Sequence, residues 1–299
     1  MMFLPFAQWL MQGRSRAITV VAIALLTSPV IWPNGLLAAA AASLITLRSG
    51  ARNGLMLWLT CLAPAILLAV YVDSQMPFLL LTVSLASAGV LRWSRRWDAT
   101  LLAMMLASLL ASVALVQLAE PSLQLYVQAM EEFLARLQQQ LAEQQPAMQD
   151  ALPAMVSSEF IAGMFGLMLV TGSSLSLVLA RSWQAGLYNP GGFRAEFHRL
   201  RLGPASVLLM LLLAGLLFMG GVQYLPWAWI VLFPLLIAGV ALFHAIGWQR
   251  KWRTHWYVIF YIMLVMWDPL KMIMVGMAMA DSLVDFRRRL SERNTDQDT

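Results

Sequence analysis

Of the chain's 20 Lys and Arg residues, all but Arg136 and Lys271 fall in six short clusters, and a long apolar run separates each cluster from the next. The clusters are Arg14/Arg16, Arg48/Arg52, Arg92/Arg95/Arg96, Arg181 through Arg201, Arg250/Lys251/Arg253 and Arg287 through Arg293. Short loops rich in Lys and Arg stay on the cytoplasmic side of a membrane protein. Two neighbouring clusters therefore require an even number of crossings between them. This predicts an all-α fold, a polytopic transmembrane helix bundle of about eight to ten membrane segments in a bacterial inner membrane, with both termini cytoplasmic.

Composition agrees. The chain is 60% hydrophobic and 12% charged, against about 25% charged in an ordinary soluble domain. The net charge of +5 lies in short loops and forms no continuous basic face, so nucleic acid is not an expected partner. Membrane lipids are. Cys61 stands alone in an apolar run, which rules out an intramolecular disulfide and reads as a small buried hydrophobe. Residues 1–11 read as an interfacial segment. Their apolar residues precede Arg14 and Arg16, the reverse of a secretory signal.

Clear spans are expected over about 54–72, 77–91, 99–118, 159–180, 204–222 and 227–246, each near the length that crosses a bilayer. Both ends are short hairpins. Residues 17–31 and 36–47 flank the turn-forming Trp32-Pro33-Asn34-Gly35. At the other end a single span over 256–280 would put Arg287, Arg288 and Arg289 outside. A break at Asp268-Pro269, giving helices over 256–267 and 270–285, returns them to the cytoplasm.

One long segment, 119–157, falls outside this alternation. Leu123, Tyr126, Met130, Phe133, Leu134, Leu137 and Leu141 recur at helical spacing, opposite a face rich in Gln and Glu. This predicts an extracytoplasmic amphipathic helix whose apolar face meets a protein partner or a second copy of the chain through 119–148, or folds back on its own bundle. The chain is thus one integral membrane domain, 1–299. It comprises N-terminal helices (1–118), the outer helix (119–157) and C-terminal helices (158–299), the last with a cytoplasmic interfacial segment at 182–203.

Within that segment, Asn189-Pro190-Gly191-Gly192 is turn chemistry. Phe193, Phe197 and Leu200 then share a helical face, with Arg194, Glu196, Arg199 and Arg201 around the remainder. The string reads either as an interfacial helix on anionic lipid or as a docking element for a cytoplasmic partner at 186–203. Its glycines lack the spacing of a phosphate-binding loop.

Polar residues inside membrane segments are the usual pointers to function. Ser173 and Ser174 are candidates to line a polar cavity with Asp268. Asp268 and Lys271 are spaced to pair, and Asp281 and Asp285 lie one helical turn apart before Arg287. Gly172, Ser176 and Ala180 permit close helix packing. The methionines from Met263 to Met279 have no Cys or His beside them and read as flexible packing. No nucleophile–base pair and no metal-ligand spacing of His residues occurs in the sequence, so neither catalysis nor a metal or cofactor is expected.

At Asn189-Pro190-Gly191-Gly192-Phe193-Arg194 and at Asp281-Ser282-Leu283-Val284-Asp285-Phe286-Arg287 the sequence resembles the YybS-like family of bacterial multi-pass membrane proteins. The resemblance covers most of the chain. That family is distantly similar to the substrate-capture subunits of energy-coupling-factor vitamin transporters, from whose compact form the 119–157 insert departs. The resemblance implies a transporter-like membrane subunit for a small solute or lipid, with energy supplied by another protein. It carries over no functional residue. A non-catalytic membrane scaffold of an envelope or biogenesis complex is the alternative expectation.

Overall fold

The computed structural model describes residues 4–31, 33–72, 74–118, 120–141 and 157–284, and every regular element among them is helical. The first part comprises α1 (Leu4–Leu10), α2 (Arg14–Thr27), α3 (Pro33–Ser49), α4 (Ala51–Thr60), α5 (Leu62–Tyr71), α6 (Met76–Ser94) and α7 (Trp97–Leu118). α8 (Glu120–Leu141) is the amphipathic helix. The remainder is α9 (Ser158–Tyr188), α10 (Gly192–His198), α11 (Pro204–Met219), α12 (Leu225–Gln249), α13 (Thr254–Met266) and α14 (Asp268–Val284), with a single 3-10 turn (Val222–Tyr224) before α12.

The core forms around α3, in which every residue from Ala38 to Leu47 is buried. The five alanines Ala38–Ala42 account for this, because small side chains let α2, α6 and α9 approach closely on different sides. The small residues of α9 are used in the same way. Ser176 Oγ donates to the Leu36 carbonyl at 3.1 Å, and a Cβ on Gly172 would come within 2.9 Å of Leu80. Large apolar side chains point the other way. Leu208, Leu212 and Leu216 of α11, Ile66 and Val70 of α5, and Ile262 and Val265 of α13 are all exposed. Water does not tolerate so much contiguous apolar surface, and in a bilayer it is the lipid-facing surface.

Among the described residues, five helical stretches are long and apolar enough to cross a membrane: Ala51–Tyr71, Met76–Ser94, Trp97–Leu118, Ser158–Tyr188 and Val222–Gln249. The pair α13–α14, bent by 110°, makes a sixth if taken as one span. The break expected at Asp268-Pro269 falls one residue earlier, at Trp267, whose backbone is extended. Pro269 and Asp268 then occupy the first turn of α14, where a missing N–H costs no hydrogen bond and a carboxylate meets the positive end of the helix dipole. α2 and α3 form the expected first hairpin, and Asn34 Nδ2 donates to Thr27 Oγ1 at 2.8 Å across its turn.

Every basic cluster within the described residues gathers at one end. Arg92 donates to the carbonyls of Leu47 and Arg48. Arg48 stacks on Tyr188 at 4.1 Å, Arg194 stacks on Trp248 at 4.0 Å, and Phe6 of α1 meets Trp183 edge-on at 5.9 Å. The α2–α3 turn, the start of α6, α8 and the start of α9 lie at the opposite, far end. The basic clusters among the described residues therefore share one end of the bundle.

Candidate functional site

The Asn189–Arg201 string is joined to the bundle at the basic end. The span read as 159–180 continues as helix to Tyr188, so residues 182–188 extend α9 and do not begin an interfacial segment. Nothing in Arg181–Tyr188 breaks a helix. The first breakers are Pro190 and Gly191, the latter at φ +86. Phe193 then packs on Trp97 and Phe197 on His244, with ring centroids 6.0 and 5.9 Å apart. The aromatic face of α10 therefore turns into the protein, away from lipid headgroups. Glu196 accepts from Arg181 Nε at 2.9 Å, and Arg201 Nη2 donates to the Ser282 carbonyl at 3.0 Å, holding the end of α14. Asn189, Gly191, Arg194 and Arg199 remain exposed. They are the part of the string open to a lipid or a partner.

The intramembrane candidates do not converge. Ser173 and Ser174 are enclosed by packing; Ser174 Oγ donates to Met104 Sδ at 3.0 Å, and Ser173 Oγ has no hydrogen-bond partner among the described residues. Asp268 and Lys271 form the ion pair their spacing predicts, with Asp268 82% exposed. Two enclosed serines and an outward-facing aspartate on a different helix cannot line one polar cavity. Asp281 is buried near the basic end of α14. Asp285 lies outside the described residues, as do Arg287, Arg288 and Arg289.

The structure forms a different cavity, of about 330 Å³, at the far end between the α2–α3 turn, the start of α6 and the first half of α9. Leu36, Leu80, Met164 and Met168 make its wall largely apolar, while Ser28, Ser74 and Thr171 supply polar groups. Its size falls within the range of small-ligand sites, roughly 300–1,000 Å³, which are mostly apolar with a few polar groups. Sequence reasoning missed it because the lining comes from three separated segments, each unremarkable by itself. A second cavity, of about 340 Å³, opens at the basic end and includes Arg92, Arg95, Arg181, Gln184 and Glu196 in its wall. In the sequence those arginines register only as topology signals.

Neither family models, nor curated proteins, nor solved structures give a match to this chain.

Proposed function

We propose that the chain is a YybS-like, transporter-like subunit of a bacterial inner membrane, receiving a small, largely apolar solute or lipid in the far-end cavity. The observation that carries this reading is the cavity itself, with its apolar wall, three hydroxyl groups and ligand-sized volume. Positive-inside bias assigns the arginine end to the cytoplasm, so the cavity faces the outer side, from which a capture subunit is loaded. A separate protein supplies any energy-coupling step. The test is native mass spectrometry and thermal shift of the purified protein in lipid nanodiscs against a panel of apolar solutes. Thr171→Phe is the space-filling control. Ligand retention by the wild type that is lost in a stably folded Thr171→Phe protein supports the reading. Identical retention by both sinks it.

A second reading, the non-catalytic scaffold, rests on α8. Its first turns fold back on the bundle: Leu123 is buried, packing with Ile161 and Trp227, and Tyr126 meets Phe165 edge-on at 5.1 Å. Further along, Met130 is 38% and Phe133 58% exposed; the side chains of Leu137 and Leu141 lie outside the described residues. Single cysteines at Met130 and Phe133 test this by crosslinking in native membranes. A homodimer or one reproducible heteromeric product supports the scaffold, and monomer alone rejects it.

A further inference from the structure

The basic cavity does not end at its arginines. Arg92 and Arg95 also border an adjoining recess with Ala51, Gly89 and Trp93. Ala51 and Gly89 in turn border a cleft of about 330 Å³ between α4 and α6, along which lie Ala86, Trp58 and Thr82. The shared residues make one continuous groove. From Arg92 to Thr82 it covers ten residues of α6, about 15 Å at the helical rise, which is about half the ~30 Å hydrocarbon core and so one leaflet's depth. Its head is cationic, its body is walled by small and apolar residues, and Trp58 Nε1 donates to Thr82 Oγ1 at 2.8 Å near its inner end.

The arginines are held before any ligand arrives. Arg92 is fixed by the carbonyls of Leu47 and Arg48 at the end of α3. Arg181 is fixed by Glu196 and by Gln184 Oε1, the latter at 2.7 Å. The Arg95 guanidinium makes no hydrogen bond or ion pair among the described residues, and its backbone occupies the left-handed C-cap of α6 at φ +55, a position where glycine is the usual residue. Three guanidiniums face one carboxylate, which leaves the cavity with a net positive charge. Phosphate oxygens are what such a set of planar donors recognises.

We propose that this groove binds one anionic phospholipid, its phosphate on Arg92 and Arg95 with Arg181 beside them, and an acyl chain between α4 and α6. A soluble phosphate ester would satisfy the arginines but would leave the apolar cleft unused, which is why the lipid is favoured. This site lies at the other end of the bundle from the solute cavity and does not depend on it.

Two substitutions separate binding from folding. Arg95→Gly removes one charge and places at φ +55 the residue that adopts it without strain. Gly89→Phe fills the cleft, because a Cβ at Gly89 meets nothing within 4 Å. Native mass spectrometry of the full chain, released from nanodiscs of mixed phosphatidylglycerol and phosphatidylcholine, reads the outcome, with glycerol 3-phosphate as soluble competitor. One phosphatidylglycerol is expected to be retained over phosphatidylcholine. Retention should fall about fivefold in Arg95→Gly, the ratio equivalent to ~1 kcal/mol per basic residue near an anionic lipid surface, and at least as far in Gly89→Phe. Millimolar glycerol 3-phosphate should not displace the lipid. Equal retention of the two lipids, or no change in either variant, overturns the proposal. Displacement by glycerol 3-phosphate together with an unaffected Gly89→Phe reassigns the site to a soluble ester and also overturns it.

Discussion

Glu196 grips Arg181 across the corner between α9 and α10, with Nε to Oε2 at 2.9 Å and a second bond from Nη2 to Oε1. Trp97 Nε1 approaches the same carboxylate at 3.4 Å, so one side chain joins α7, α9 and α10. The Arg181 side chain is 16% exposed and that of Glu196 is 37% exposed. Screening is therefore partial, and removal of the carboxylate leaves a largely buried guanidinium short of acceptors. Glu196→Ala should destabilise the protein by about 1–2 kcal/mol, less than a fully buried pair would cost. Thermal unfolding in detergent, followed by tryptophan fluorescence, measures this. Arg181→Glu combined with Glu196→Arg should regain part of the loss, and an unchanged midpoint in Glu196→Ala would show that the corner is held by the aromatic packing alone.

Gly239 of α12 lies directly against the backbone of Met274 in α14, where an added Cβ would run into the Met274 carbonyl. No rotamer change can relieve a clash with backbone. Gly239→Val should therefore separate the two helices and destabilise the protein by about 1–3 kcal/mol, the range for overpacked cores. Gly89→Ala is the control. Its Cβ enters open space, and exchanging glycine for alanine within a helix gains about 0.5–1 kcal/mol. Size-exclusion recovery after mild heating should fall for the first variant and hold or rise for the second.

These contacts mark the boundary of what the sequence discloses. Apolar runs and basic-cluster spacing are enough for the helices and for the common end on which the clusters gather, because both follow from the bilayer's length and charge rules. The apolar run stops at Ala180, and only Glu196 across the corner shows how Arg181 is accommodated as α9 continues. The inward turn of Phe193 and Phe197 is equally hidden, since Trp97 and His244 come from other helices. Cavities fare worst. Thr171 and Met164 gain meaning only beside Ser28 and Leu80, and no periodicity along one segment records a space shared by three.

The exposed and tethered arginines of the Asn189–Arg201 string should behave differently. Arg194 and Arg199 are exposed, whereas Arg201 holds the Ser282 carbonyl. Arg194→Glu with Arg199→Glu should leave insertion and unfolding temperature close to wild type while weakening binding to anionic vesicles or recovery of a cytoplasmic partner. Arg201→Glu should lower the unfolding temperature, because the end of α14 loses its anchor. Vesicle flotation, co-purification and unfolding curves on the three proteins distinguish these effects. If the double variant loses nothing but stability, the string has no contact role.

Topology is the remaining expectation, and the geometry sharpens it. α1 packs against Trp183 and Gly186 at the end of α9, and Arg201 reaches Ser282 near the end of α14. The first and last described helices thus meet the same end of the bundle. α8 packs through Leu123 and Tyr126 against Ile161 and Phe165, at the start of α9 and hence at the other end. The positive-inside rule predicts a cytoplasmic arginine end, and reporter fusions test it. Alkaline phosphatase fused at Ala147 should be active and the same enzyme fused at Thr299 inactive, with a fluorescent-protein reporter giving the reverse pattern. A translocated Thr299 would mean that α13 and α14 cross as one continuous span and that the 110° bend does not persist in the bilayer.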